Sequence, residues 1–185
     1  MAGFKYLGTE AQGEASGKLK RFKVDAAHSG VIGPGDLVLV TGDADTDGVS
    51  EVDIGTANTA NTGVVMSVVP NFSGEALSTT HLAASTAGYV LVNVDPDALY
   101  EVEVSNGPLS VDDVDLNAPA VVTAGTVSGG LFTSNMGVND TGAATTSTLP
   151  LRIVKLLEDE AGVLGNKAIV KLNETTNRLG ATGIA

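Results

Sequence analysis

Short apolar runs bounded by turn-forming residues recur along the chain, and their lengths predict β-strands. The runs occupy residues 37–40, 63–70, 88–94, 99–104, 149–157 and 168–173. Each is shorter than the roughly ten or more residues of a typical helix, and glycine, proline, asparagine or aspartate flanks most of them. One or two helical turns are expected only in residues 73–84 and 112–116. The pattern therefore predicts a mainly β fold with few short helices.

Strict alternation in residues 99–104 predicts a strand with one face in water. Glu101 and Glu103 lie on one side of this strand, and apolar residues lie on the other. The short link at residues 95–98 joins it to the preceding run as a hairpin would. Alternation of this kind is typical of antiparallel sheets that have one solvated face. We therefore expect an antiparallel β-barrel, a jelly roll or a β-sandwich.

The composition supports a β fold. The chain contains 24 Val, 23 Gly and 6 Pro among its 185 residues, and only seven aromatic residues. Valine packs well on a pleated sheet, whereas glycine and proline favour tight turns. The length is sufficient for one domain with a substantial core.

Polar segments divide the chain into three parts. We expect an N-terminal arm in residues 1–27, a β domain in residues 28–175 and a C-terminal tail in residues 176–185. Within the β domain, residues 105–149 form a long excursion rich in glycine, serine and threonine, which predicts a functional surface loop. Weak strand signals occur in it near residues 120–122 and 131–132.

The N-terminal segment combines basic and aromatic residues, which predicts an arm that binds a partner. Three of the seven aromatic residues and five of the ten basic residues lie here. Such an arm becomes ordered on its partner by inserting aromatic rings and pairing lysines with carboxylates. A flexible solvated tail is the alternative, and residues 19–24 are also compatible with one strand. The candidate partner-binding residues are Phe4, Tyr6, Lys18, Lys20, Arg21, Phe22 and Lys23.

Charge is distributed unevenly, and the distribution excludes several functions. The net charge of −12 consists of +3 in residues 1–23, −16 in residues 24–151 and +1 in residues 152–185. The central block has no lysine or arginine, so it repels nucleic acid phosphates and anionic lipids, and we expect neither as a partner. No apolar run approaches the roughly 20 residues of a membrane-spanning helix. The first residues also lack an apolar signal sequence, so we expect no export by the general secretory route.

One acidic motif has the spacing of a calcium loop. Asp43, Asp45 and Asp47, followed by Gly48, match the part of the loop in which alternate carboxylates hold Ca²⁺. The twelfth position, which requires a bidentate glutamate, is Ile54. This excludes an EF-hand and leaves two interpretations, an irregular calcium loop or an acidic turn between strands.

Residues suited to catalysis are sparse. The chain has no cysteine, which removes thiolate metal sites and cysteine nucleophiles. His28 and His81 are isolated and lack the spacing of metal ligands. Asp112 and Asp113, near Asp115, form a carboxylate cluster, but a chain without tryptophan offers little surface for stacking a sugar ring. We therefore predict a non-enzymatic protein without a cofactor.

Several segments together resemble a known group of virion proteins. These segments are GYVLVNVDPD at 88–97, YEVEV at 100–104, TLPLRIV at 148–154, NKAIVKLN at 166–173, GVVM at 63–66 and GDLV at 35–38. Over residues 30–175 this rhythm resembles that of the decoration, or cement, proteins of tailed-bacteriophage heads. The resemblance implies a jelly roll or the β-tulip barrel of such proteins.

The resemblance also implies a function. A protein of this group binds the outside of an icosahedral capsid and braces neighbouring subunits, so its partners are the major capsid protein and further copies of itself, in a dimer or trimer. It is made in the host bacterial cytoplasm and resides on the virion surface. Members often dock through an extended N-terminal arm, which corresponds to residues 18–24 here.

Three other functions are alternatives. The acidic loops are compatible with a calcium-dependent β-sandwich that serves in adhesion or carbohydrate binding. The carboxylate cluster is compatible with a hydrolase. A tail or fibre component of the virion is the third.

Overall fold

A computed structural model describes residues 3–10, 18–70 and 80–173 of the chain. These residues form strands and turns with a single short 3-10 turn, and the prediction of a mainly β fold is confirmed. The strands are β1 (Lys5–Thr9), β2 (Leu19–Val24), β3 (Leu37–Ala44), β4 (Ser50–Ile54), β5 (Gly63–Val69), β6 (Gly88–Asn93), β7 (Ala98–Ser105), β8 (Asn117–Ala118), β9 (Ala120–Val121), β10 (Thr126–Ser128), β11 (Leu131–Thr133), β12 (Gly137–Asn139), β13 (Leu151–Glu158) and β14 (Leu164–Leu172).

Five strands close into a barrel in the order β2, β4, β3, β5 and β6. β2 runs antiparallel to β6 along its whole length, and a parallel contact between Lys23 and Glu51 joins it to β4. The barrel interior is filled mainly by valine, whose branched side chain packs densely on a small, strongly curved sheet. Its buried residues include Phe22, Val24, Val38, Val52, Val65, Val90 and Val92. The predicted barrel is thus confirmed for the first half of the chain.

The remaining long strands form a seven-stranded sheet with β7 at its centre. On one side of β7 lie β14, β13 and β8 in that order. On the other side, β1 pairs with the first half of β7 and β12 pairs with its end. β9 in turn pairs with the outer side of β12. Tyr100 and Val102 of β7 are buried on the core face of the sheet. Glu101 and Glu103 are half-buried on its opposite face, as the alternation predicted.

The barrel and the sheet meet at the turn formed by residues 33–36. The Gly35 carbonyl accepts a hydrogen bond from the Phe4 amide at 3.0 Å, and the Leu37 amide lies 3.0 Å from the sulfur of Met136. Leu37, a residue of the barrel strand β3, is buried in the core of the seven-stranded sheet. The turn therefore brings together the barrel, β1 and the segment that leads into β12.

Residues 105–149 contain more regular structure than the sequence predicted. They carry five short strands, β8 to β12, and the strands expected near residues 120–122 and 131–132 correspond to β9 and β11. β12 pairs parallel with β7, so this excursion is built into the main sheet. β10 and β11 form a separate two-stranded hairpin.

Helical structure is as sparse as expected. The turn predicted at residues 112–116 is present as a single 3-10 turn at Val111–Asp113. Residues 80–84 contain no helix, and residues 71–79 lie outside the described part of the chain.

The N-terminal segment contributes two strands to the fold. β1 pairs with β7 in the sheet, and β2 is a wall of the barrel. A boundary between an arm and a β domain at residues 27 and 28 therefore does not separate these strands from the rest of the fold. Residues 11–17 of the predicted arm, and the predicted tail at residues 176–185, lie outside the described residues.

Candidate functional site

Strand β2 carries basic residues on the outside of the barrel. Its alternation turns Phe22 and Val24 inward, and Arg21 and Lys23 therefore face outward. Lys20 and Arg21 are exposed, and Lys23 is half-buried. Lys18 immediately precedes the strand, so residues 18–23 contain four cations.

Tyr89 on β6 supports two of these cations. It is the direct cross-strand partner of Lys23, and Arg21 lies diagonally across from it. The Arg21 guanidinium carbon is 3.8 Å from the centre of the Tyr89 ring, and the Lys23 ammonium is 5.3 Å from it. Cations at this distance from an aromatic face are attracted by its quadrupole. The ring therefore holds both charges at defined positions on the barrel surface.

The Tyr89 hydroxyl is itself fixed by the loop between β3 and β4. It donates a hydrogen bond of 2.7 Å to Oδ2 of Asp45. This bond is the largest cause of a lowered pKa of Asp45 and of a raised pKa of Tyr89, because it favours the carboxylate and the protonated phenol. Arg21, Tyr89 and Asp45 thus form a connected row across β2, β6 and the loop.

The predicted calcium motif takes part in this row as an acidic turn. Oδ1 of Asp45 accepts hydrogen bonds from the backbone amides of Asp47 at 2.9 Å and Val49 at 2.8 Å. Both oxygens of Asp45 are therefore engaged within the chain, as is common for aspartate in a turn. Asp43 and Asp47 do not converge with it, and no group of three histidine or acidic side chains suited to a metal ion occurs among the described residues.

Two further contacts position the start of β2. The Lys18 ammonium is 2.8 Å from Oδ1 of Asp95, a hydrogen bond that raises the pKa of Lys18. The backbone carbonyl of Lys18 accepts a hydrogen bond from the Val94 amide. The Lys20 ammonium lies 4.8 Å from the centre of the Phe22 ring.

The basic residues of β2 differ from those of the C-terminal hairpin in their pairing. Lys167 and Lys171 lie 3.9 Å and 2.6 Å from the carboxylates of Glu101 and Glu10, and Arg152 contacts Asp115 at 3.5 Å. Within the described part of the chain, no carboxylate lies within 4.0 Å of the charged groups of three basic residues of β2. These residues are Lys20, Arg21 and Lys23. The charges of these three residues, like that of the exposed Lys155 on β13, are therefore available to another molecule.

The aromatic residues assigned to partner binding lie elsewhere. Phe22 is fully buried in the barrel, and Phe4 is buried against Tyr100, with ring centres 6.1 Å apart. Tyr6 is half-buried and makes a similar edge contact with Tyr100 at 5.9 Å. The prediction that Phe4 and Phe22 insert into a partner is corrected, because burying these rings stabilises the chain's own two cores.

Sequence reasoning missed Tyr89, the residue that organises the site. Tyr89 lies in an apolar run, where a tyrosine is naturally assigned to the core. Its neighbours Gly88 and Val90 are both buried, so the period of two places Tyr89 outside. This alternation can be read from the sequence. The sequence does not show, however, which strand pairs with β6.

The other candidate groups serve local structure. The ring nitrogens of the buried His28 lie 2.7 Å and 3.0 Å from the backbone carbonyl oxygens of Gly30 and Thr86. The Asp113 carboxylate accepts hydrogen bonds from both the amide and the hydroxyl of Ser110 and so caps the 3-10 turn. These contacts place the histidine and the acidic cluster in turns.

A surface cavity of about 560 Å³ lies away from β2. The Glu10–Lys171 and Asp115–Arg152 ion pairs line it, so its charged groups largely neutralise one another. No described helix is long and apolar enough to cross a membrane.

Comparison of the chain with known protein families, curated proteins and solved structures finds no match. The function is therefore inferred from the chemistry of the chain's own surface.

Proposed function

We propose that this chain is a non-enzymatic structural protein of a tailed-bacteriophage head. It binds the outside of the icosahedral capsid and stabilises the shell by bridging neighbouring capsid subunits. Its partners are the major capsid protein and other copies of itself, and it resides on the virion surface. The sequence resemblance to decoration proteins motivates this proposal.

The observation that carries it is the pair of cations on the outer face of β2 that have no carboxylate within 4.0 Å among the described residues. Arg21 and Lys23 lie on a closed barrel, and Tyr89 fixes both of them. A side chain that is already positioned loses less conformational entropy when it binds. These residues are therefore suited to an acidic patch on a capsid surface.

The charge of the rest of the chain gives this contact a direction. Residues 24–151 carry a net charge of −16, so an acidic surface attracts the β2 side and repels most of the remainder. Opposite charges also accelerate association and reject wrong orientations. A protein that touches two subunits at once then resists opening of the shell, because both contacts must break together.

The test measures binding of purified protein to capsids that lack their decoration protein. Arg21→Glu on β2 is compared with Lys155→Glu on β13. Both residues are exposed, and neither lies within 4.0 Å of a described carboxylate. Each substitution changes the net charge from −12 to −14. Comparing the two variants therefore separates the effect of where the charge is changed from the effect of the change in net charge.

We expect the wild-type protein to bind and to raise the temperature at which the heads open. Arg21→Glu should weaken binding by roughly tenfold or more, and Lys155→Glu should have a much smaller effect. Raising the salt concentration should reduce the difference between the variants. Equal binding by the two variants would remove the β2 row from the proposal, and no binding by the wild-type protein would refute the proposed function itself.

A further inference from the structure

The hairpin formed by β10 and β11 is uncharged in an otherwise acidic protein. Residues 116–139 contain no aspartate, glutamate, lysine, arginine or histidine, although 17% of the whole chain is charged. The hairpin, residues 126–133, lies in the middle of this segment and joins its strands through Gly129 and Gly130, which both have positive φ. The hairpin therefore presents no charged side chain to its surroundings.

The hairpin is anchored through Phe132 and through its connecting turn. The Phe132 ring packs so closely against Gly33 and Gly125 that a methyl group at either glycine would overlap it. The same ring stacks on His81, with centres 6.3 Å apart and planes 14° from parallel. A hydrogen bond from the Thr80 hydroxyl reaches the Gly130 carbonyl at 3.4 Å. These contacts hold the hairpin in one orientation relative to the barrel.

The rest of the hairpin is open to solvent. Phe132 points inward, so its neighbours Leu131 and Thr133 face outward, and Leu131 is 71% exposed. Val127, the cross-strand partner of Phe132, is 42% exposed. Within the described part of the chain, β10 and β11 pair only with each other, so each has an outer edge without a strand partner.

Two longer edges of this fold, those of β1 and of the end of β13, carry charges that discourage pairing with another chain. β1 begins with Lys5, and the exposed end of β13 carries Lys155 and Glu158. Charged side chains on an edge strand are a common protection against association through the edge. The hairpin has no such protection, and its apolar Leu131 is the most exposed of the large hydrophobic residues described.

We propose that the β10–β11 hairpin pairs edge to edge with the same hairpin of a second copy of this chain. Two bodies of net charge −12 repel each other over most of their surfaces, and this neutral segment lets them approach without a charge penalty. Identical strands can pair antiparallel about a twofold axis, which joins the outer-edge amides of each copy to the carbonyls of the other. Leu131 then becomes buried at the contact.

This inference deepens the self-association included in the proposed function and depends on it for its biological setting. The contact is small, and interfaces that bury less than about 1,200 Å² are typical of weak and transient complexes. It therefore contributes most where many copies are held close together, as on a shell.

The test uses the purified protein alone, so its outcome is independent of capsid binding. Because the chain has no cysteine, Leu131→Cys introduces a single thiol at the hairpin. Val163→Cys, at a residue that is 41% exposed in the turn between β13 and β14, is the control outside the hairpin, and yields are compared after correction for the rate at which each thiol reacts with a monofunctional maleimide. A short bismaleimide cross-linker is added to each variant at the same protein concentration.

We expect Leu131→Cys to form cross-linked dimers in on the order of tenfold higher yield than Val163→Cys, because pairing raises the local thiol concentration. Equal yields would reflect random collisions and would overturn the proposal. Sedimentation velocity at rising concentration gives a second readout. Association of the wild-type protein should be lost in Leu131→Lys and kept in Val163→Lys, and association that both variants keep would also overturn it.

The same variants distinguish this contact from docking on the shell. If Leu131→Lys loses binding to undecorated heads while the two cysteine variants cross-link equally, the hairpin contacts the capsid protein and the self-pairing proposal is wrong. If the wild-type protein does not bind heads but Leu131→Cys cross-links selectively, the proposed function fails and the self-pairing stands.

Discussion

Asp36 is buried where the barrel meets the seven-stranded sheet, and replacing it with asparagine should change how stability depends on pH. Its Oδ2 accepts a hydrogen bond from the Gly33 amide at 3.0 Å, whereas Oδ1 has no hydrogen-bond partner among the described residues. Burial raises the pKa of Asp36 to about 6, and the nearby Ser134 hydroxyl and the Gly33 amide offset only part of this effect. The folded protein therefore favours the protonated form of Asp36 more than the unfolded chain does.

The size of the effect follows from the difference between the folded and the ordinary pKa. The pKa rises from 3.8 to about 6, which is a shift of about two units, and each unit corresponds to about 1.4 kcal/mol. The stabilisation is fully present below pH 3.8 and is lost as the pH rises through about 6, because the unfolded chain releases this proton more readily. The loss amounts to about 3 kcal/mol of unfolding free energy.

Asp36→Asn removes this titration but keeps the size of the side chain and an oxygen that can accept the Gly33 amide. We expect the unfolding free energy of the variant, relative to wild type, to increase by about 2.4 kcal/mol from about pH 4 to about pH 7. Any fixed cost of burying the amide is the same at every pH, so it does not affect this change. Urea denaturation followed by circular dichroism is the suitable assay, because the chain has no tryptophan.

Asp112→Asn is the control for loss of one negative charge, since Asp112 is exposed. Stability curves of wild type and Asp36→Asn that run parallel over this pH range would refute the reasoning. They would mean that water or a local movement solvates the Asp36 carboxylate in the folded protein.

Two further substitutions test other buried features. Tyr100→Phe should raise the unfolding free energy by about 1 kcal/mol, because the buried Tyr100 hydroxyl has no partner among the described residues. Tyr6→Phe is its control, and a loss of stability on urea denaturation in Tyr100→Phe alone would contradict the prediction. Gly165→Ala should destabilise the fold by about 2 kcal/mol more than Gly162→Ala. Both glycines have positive φ, but a methyl at Gly165 would overlap the Leu109 carbonyl, whereas at Gly162 it meets open space. Equal shifts in thermal denaturation would count against this explanation.

Local patterns in the sequence predicted the class of the fold and most of its long strands. The apolar runs at residues 37–40, 88–94 and 99–104 correspond to β3, β6 and β7. The alternation around Glu101 gave the correct buried and solvated faces of β7. These successes share one cause, which is that the direction of a side chain in a strand depends on its immediate neighbours.

The candidate site was predicted in part. The β2 cations were identified from the sequence as partner-binding residues, and that role stays a prediction. The contact of Arg21 with Tyr89 joins residues far apart in the chain, and the hydrogen bond from Tyr89 to Asp45 spans another long separation. The acidic motif at Asp45 therefore gave no sign that its carboxylate belongs to the same row as the cations.

The sequence by itself determined that this chain makes valine-rich strands, where charge concentrates and which face of each strand is apolar. Only the tertiary structure decided that Phe4 and Phe22 belong to the chain's own cores, that β2 closes a barrel beside β6, and that no described carboxylate lies within 4.0 Å of the charged groups of Arg21 and Lys23. The physical reason is that strand pairing is non-local. An apolar ring is stabilised equally by any dry surface, and hydrogen bonding along a strand edge does not specify its neighbour, so burial and pairing depend on which strands the whole chain brings together.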